Sequence, residues 1–244
     1  MTHRNRILVA LALVLTPFAA HAQSRFSVGI AGLYGQPLGE FGENVRRGFG
    51  LDGFGTLGID PRGIFSLRGE VGYIRYNRKE EFFVVNTGFG LAELQSETTS
   101  GVLTMGAGPQ LMLPEGPIRP YIAGTVGFAR FATNTSVNIP ADQTNSGQKE
   151  SIYDETVNSD FILSLAAAGG LAFQLNFLGR GVLADVGVRW HRNGEAEYVS
   201  SEGVTYTGTG QPSITVTRSQ ADFLVYRLGI VIPIGGGGRV TVAP

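Results

Sequence analysis

Eight stretches of the chain alternate apolar and non-apolar residues, at 25–34, 49–59, 64–76, 100–113, 119–132, 160–175, 182–192 and 221–234. A period of two is that of β-strands, whereas helices repeat near 3.6. The connections alternate as well. Three are short runs of turn formers, DPRG at 60–63, PEGP at 114–117 and NFLGRG at 176–181. Four are long, polar and irregular, at 36–48, 77–99, 133–159 and 193–220. Short and long follow one another in turn, so both ends of the strand set fall on the short-turn side. This is the layout of an up-and-down barrel in a membrane, with tight turns on one side and longer loops on the other. The predicted fold is all-β: an eight-stranded antiparallel up-and-down transmembrane β-barrel over residues 23–234.

A soluble lipocalin-like ligand binder has the same strand count with its faces exchanged, so the quality of each face decides. In 160–175, Phe161, Leu163, Leu165, Leu171 and Phe173 oppose Ser164, Ala166, Ala168, Gly170 and Ala172. In 182–192, Val182, Ala184, Val186, Val188 and Trp190 oppose Leu183, Asp185, Gly187, Arg189 and His191. The last stretch sets Leu224, Tyr226, Leu228, Ile230, Ile232 and Ile234 against Phe223, Val225, Arg227, Gly229 and Val231. A narrow lumen takes small side chains and a lipid face takes large ones, so the bulky sets are placed in lipid. In 119–132, Ile122, Val126 and Phe128 are assigned to the same side, and Tyr121, Thr125 and Phe131 to the interior. The 36 glycines, scattered through these stretches, suit a closely packed curved sheet.

The first 22 residues have the three parts of an export signal: a basic end at His3, Arg4 and Arg6, an apolar core at 7–15, and Ala20-His21-Ala22 as the cleavage site. The apolar core is shorter than the roughly 20 residues a membrane-spanning helix needs. Cysteine is absent, so no disulfide supports the exported chain. A net charge of -1 argues against a nucleic-acid partner.

Together the export signal, FSVGIAGLYGQPLGEF, RPYIAGTVGFARF and YRLGIVIPI resemble the bacterial outer-membrane β-barrel family of the small OmpA-like and OmpX-like type. The resemblance implies outer-membrane location, insertion by the barrel-assembly machinery, a monomer, and no cofactor. Such chains usually end on an aromatic strand residue. This one continues past Ile234 into GGGGRVTVAP, a glycine-rich tail at 235–244, so either the tail is a linker or the insertion signal is read at 226–234.

With the bulky faces outward, Asp52, Arg68, Glu70, Asp185, Arg189 and Arg227 point inward, and their charges sum to zero. Counted from the short turns, Asp52, Glu70, Arg189 and Arg227 share one level, and Arg68 and Asp185 fall about one layer lower. The expectation is an ion-paired network that plugs the lumen. Lysine occurs only at Lys79 and Lys149, both assigned to long connections, which leaves arginine as the strand cation; its planar fork pairs bidentately with carboxylates and stays charged when buried.

No catalytic, cofactor or metal residue is assigned. WHRNG at 190–194 resembles the His-x-Ser-Asn pattern of outer-membrane lipid A deacylases. Asn193 occupies the nucleophile position, however, and an amide cannot be activated as a hydroxyl can. Ser200, Ser201, Glu195 and Glu197 have no spacing that would complete a site, and His191 is read as a rim residue near the outer interface. GIAGLYG and GFGLDGFG run on as strands and lack the helix a phosphate loop requires. The expected role is structural or adhesive, with FFVV at 82–85 and the stretch 204–218 extending hairpins beyond the lipid toward an extracellular partner.

Overall fold

The computed structural model describes residues 26–86, 91–140, 150–175, 181–206 and 212–234. The export signal, the tail at 235–244, Lys149 and most of the 176–181 turn lie outside the described residues. The described residues form ten strands and one short helix: β1 (Phe26–Pro37), α1 (Gly39–Asn44), β2 (Gly48–Gly58), β3 (Phe65–Asn86), β4 (Leu91–Met112), β5 (Ile118–Ile139), β6 (Glu150–Gln174), β7 (Leu183–Asn193), β8 (Glu195–Tyr206), β9 (Pro212–Gln220) and β10 (Phe223–Ile234). Eight of the strands close a barrel in the order β1-β10-β7-β6-β5-β4-β3-β2, and β8 and β9 form a separate hairpin. All pairs are antiparallel, and β1 joins β10 from Phe26↔Ile234 to Pro37↔Phe223. One row of register partners starts at Phe65, passes once round the wall, and returns to β3 at Arg75. The rows therefore climb ten residues per circuit, which tilts the strands and narrows the lumen.

The faces fall as the alternation requires. Ile122, Val126, Phe128, Phe161, Leu163, Val186, Trp190, Leu228 and Ile230 are exposed on the outside, while Tyr121, Phe131, Asp185, Arg189 and Arg227 are buried inside. Bulky apolar residues fill the outward positions from Phe65 to Tyr73 on β3 apart from Gly69, and from Ile118 to Phe128 on β5 apart from Pro120 and Gly124. At roughly 3.3 Å per residue and a tilt of 35–45°, these runs cover about 20 Å on β3 and about 25 Å on β5, close to the height of a lipid-facing band.

Three of the long connections, expected to be polar and irregular apart from hairpin extensions at 82–85 and 204–218, carry strand well beyond those stretches. Residues 77–86 with 91–99, and 133–139 with 150–159, continue the wall as strand, so β3 and β4 stay paired to Asn86↔Leu91 across a bulge near Tyr76. The strands β5 and β6 stay paired to Ile139↔Glu150. Lys79 is consequently a strand residue, which corrects its assignment to a loop; its Nζ donates to the Val204 carbonyl at 2.8 Å. The extension was hidden because its inner face is polar: Thr98 meets Thr135 at 3.0 Å and Ser100 meets Thr133 at 2.9 Å, all buried. The hairpin β8–β9 lies over that face and buries Tyr198, Val199 and Val204 completely.

Inside the barrel, large side chains lie across glycines of neighbouring strands. A Cβ on Gly29 would come within 2.3 Å of the Phe54 ring, and one on Gly187 within 2.6 Å of the Tyr121 hydroxyl. Gly29→Ala is expected to cost about 1–3 kcal/mol by forcing Phe54 off its seat. Gly53→Ala on the same sheet, where nothing lies within 4 Å of the added Cβ, should change stability little. Urea unfolding of both variants in detergent checks the contrast; equal stabilities would count against the seat.

Candidate functional site

The interior holds two layers. In the lower one the six predicted charges form a single chain of alternating sign. Arg68 Nε donates to Glu70 at 2.7 Å, and Arg189 Nη2 donates to the same Glu70 oxygen at 2.6 Å and to Asp52 at 3.0 Å. Arg227 then bridges Asp52, with Nε at 3.2 Å, and Asp185, with Nη2 at 3.4 Å. The order is Arg68, Glu70, Arg189, Asp52, Arg227, Asp185, and every member is buried. The four residues counted to one level are the four consecutive middle links. Strands β2, β3, β7 and β10 supply them, so the chain ties together walls separated by up to 175 residues of sequence.

Uncharged neighbours complete the layer. Gln110 accepts from Arg68 Nη1 at 2.9 Å, and Thr125 donates to Glu70 at 3.2 Å. The guanidinium carbons of Arg68 and Arg227 lie 3.9 Å and 4.6 Å from the centre of the Phe54 ring. That contact offers a π-face to guanidinium groups whose Arg68 Nη2 and Arg227 Nη1 find no hydrogen-bond partner among the described residues. Phe54, Gln110 and Thr125 carry no charge and stand at ordinary inward positions, so only a knowledge of which strands face each other marks them.

The upper layer is aromatic. Leu38 donates its backbone N–H to the Asp222 carbonyl at 2.9 Å, and Gly39, at φ +54°, turns the chain into α1. This drops Phe41 into the barrel mouth. Its ring meets Tyr198 at 4.8 Å, Phe131 at 5.5 Å and Tyr76 at 5.9 Å, all close to edge-on. That geometry sets positive ring edges against negative faces. Val45, Ile74, Val102, Phe223 and Val225 belong to the same buried cluster.

His191 lies between the layers. It lies on the inner face that the alternation of β7 gives it, but enclosed in the lumen and not at the rim expected for it, and stacks on Phe223 with ring centroids 4.5 Å apart. Its Nδ1 is 3.2 Å from the Ser164 hydroxyl, a partner hidden in sequence by a run of small residues on β6. The space beside this pair measures about 10 Å³ and is bounded by Glu70, Thr104, Thr125 and Ala166 among others. That is about the least volume that admits one water molecule. Asn193 is committed to structure: its side chain donates to the Ala221 carbonyl at 2.6 Å, and its backbone N–H donates to Asp222 at 2.8 Å. Ser200 and Glu202 border a separate cleft of about 190 Å³ with Glu43 and Arg46, above the barrel mouth. Among the described residues, no three metal-ligating side chains come together.

No family model and no curated protein sequence matches the chain. Among solved structures it is similar to Neisserial surface protein A at 14% identity and a TM-score of 0.45, covering 86% of this chain and 97% of that one. It is similar to a major outer membrane protein of Thermus thermophilus at 14% identity and a TM-score of 0.43, covering 86% and 99%. Similarity to the attachment invasion locus protein of Yersinia pestis is at 13% identity and a TM-score of 0.40, covering 87% and 99%. The strand register and the inverted faces of the chain itself define the fold: a closed, eight-stranded, antiparallel barrel, apolar outside and ionic within, the architecture of the small outer-membrane β-barrels.

Proposed function

We propose that the chain is an exported, monomeric outer-membrane protein whose plugged barrel anchors a rigid extracellular sheet used for binding or adhesion. The observation that carries this reading is the continuation of β3, β4, β5 and β6 beyond the lipid-facing band as one four-stranded sheet, backed by the β8–β9 hairpin. Above Arg75 on β3, and above Ser164 on β6, each strand has a ladder partner on one side only. Such edges accept a further strand through main-chain hydrogen bonds, which gives an extended partner a physical route to bind. Insertion by the barrel-assembly machinery accompanies this reading.

The same interior supports a lumen without a continuous water path, because an ionic layer and an aromatic layer block it in series. It also supports a non-enzymatic role. His191 and Ser164 face a space too small for an acyl chain, whereas a lipid-hydrolysing site has to open toward lipid.

The barrel should migrate faster on unboiled gels than on boiled ones and require detergent for solubility. Planar bilayers containing it should show no large stable conductance. Cells displaying the chain should retain partners that cells lose when 77–99 and 133–159 are replaced by short turns at equal surface abundance. A detergent-free soluble protein binding a small apolar ligand would replace this reading with the lipocalin-like one. Stable channels would overturn the plug, and undiminished binding after the replacement would overturn the role of the sheet.

A further inference from the structure

Four outward arginines, Arg47, Arg75 and Arg192 exposed and Arg130 half-buried, stand at one height around the loop end of the band. On the outer face, Arg75 follows Tyr73 by two residues, Arg130 follows Phe128, and Arg192 follows Trp190; Arg47, where the chain enters β2, precedes Phe49 by two. Each arginine thus lies one outward step above an aromatic that is 42–70% exposed.

Their common height follows from the register. The rows climb ten residues per circuit of eight strands, a little over one residue per strand. The row through Arg75 meets β5 at Ala132, two strands on, and β6 at Ser159. Removing two strands' climb from Ala132 gives the neighbourhood of Arg130. Four strands' climb, counted from the level of Ser159, gives Ser164, whose β7 partner Asn193 adjoins Arg192. A further four steps complete the circuit, and one strand before its end the same correction reaches β2 at Arg47 and Gly48.

Below this ring the outward positions of the eight barrel strands carry neither acid nor base. Arg47, Arg75 and Arg192 form no ion pair among the described residues, and Arg130 meets only the Ser159 hydroxyl at 2.9 Å and the Phe161 ring. The next outward arginine on β3 behaves differently: Arg78 is paired with Glu80 at 2.6 Å and Glu97 at 2.9 Å. Arg78, above the ring, is therefore neutralised within the protein, whereas the ring arginines have no acid partner among the described residues.

Resting on the membrane reading proposed above, we infer that this ring binds the phosphate groups of lipid headgroups in the outer leaflet. The aromatic beneath each arginine belongs at the boundary between acyl chains and headgroups. An outward guanidinium one step higher is at phosphate depth, where its planar fork matches phosphate oxygens in pairs. A basic side chain near an anionic lipid surface contributes about fivefold in partitioning, so four together select strongly for phosphorylated lipid.

Trp190 is the only tryptophan of the chain and adjoins the ring, so its fluorescence reports on the local lipid. The folded protein is placed in phosphatidylcholine vesicles containing spin-labelled phosphatidylcholine, and unlabelled diphosphorylated lipid A is added in steps. Lipid A should displace the quencher and restore Trp190 emission. In a variant combining R47Q, R75Q, R130Q and R192Q, at least tenfold more lipid A should be needed, while the four lysine replacements, which keep the charge but lose the fork, should fall between that variant and wild type. Equal relief in wild type and the glutamine variant, or equal relief by dephosphorylated lipid A, would overturn the inference. Abolition of the effect by millimolar inorganic phosphate would assign the ring to a free anion instead. If labelled lipid never quenches Trp190 in the wild type, the membrane reading itself fails. Heat-modifiable migration of each variant shows that its barrel has folded.

Discussion

Asp52→Ala is expected to destabilise the barrel by about 3–5 kcal/mol, the usual cost of leaving a buried charge without its partner. Asp52 is the one acid shared by Arg189 and Arg227, and its side chain is fully enclosed. Without it the internal sum becomes +1, Arg189 retains Glu70, and Arg227 retains only Asp185 at 3.4 Å. Asp185→Ala should cost less, since Asp185 ends the chain and meets a single arginine. Urea unfolding in detergent, followed by the return of the unfolded gel mobility, measures both. A loss under about 1 kcal/mol for Asp52→Ala would mean that water solvates the interior and that the plug is not dry. The double variant Asp52→Leu with Arg189→Met should recover part of the loss, because replacing a buried pair by apolar groups removes its desolvation penalty together with its attraction.

The second large effect is expected at the mouth. Phe41→Ala removes the ring on which Tyr76, Phe131 and Tyr198 converge, and truncation of a buried phenylalanine costs about 3–5 kcal/mol. Most of this loss should be local, since Phe41 sits on a six-residue helix whose few other anchors are Val45 and the Leu38 bond to Asp222. Arg46 and Arg47 follow directly and are exposed, so trypsin cleavage there reads the opening of the segment. When reclosing is fast, cleavage tracks the population of the open form, and the rate should rise about a hundredfold. An unchanged rate would show that β8 and β9 hold the mouth closed without α1.

The faces of the barrel were legible because nothing interrupts their alternation. On β7 every inward residue from Leu183 to Asn193 is buried, and the outward ones from Val186 on are exposed. The six charges could be named because each sits on the small-residue face of such a strand. Length was harder to read. Where β3 to β6 leave the lipid band, Thr98, Ser100, Thr133 and Thr135 hydrogen-bond across strands instead of packing apolar groups, so the hydrophobic signal stops while the ladder continues. Lys79 was misplaced for the same reason. Phe41 and Ser164 escaped because neither has a pattern: one is a single aromatic in a glycine-rich loop, the other a hydroxyl among alanines. Their roles depend on elements far away in sequence.

The seam between β1 and β10 bears on how the molecule is made. Its first pair, Phe26 with Ile234, joins residues more than two hundred positions apart, and the links Asp52 to Arg189 and Asp52 to Arg227 span 137 and 175 residues. Contacts of such high order form slowly, because the chain entropy is lost before the contact is gained. Before the seam forms, an open sheet would expose apolar residues on one side and unpaired arginines and carboxylates on the other, a species prone to aggregate in water and poorly tolerated in lipid. The ionic chain can assemble only when β2, β3, β7 and β10 have come round to face one another. It therefore acts as a latch on the ring, formed only as the ring closes.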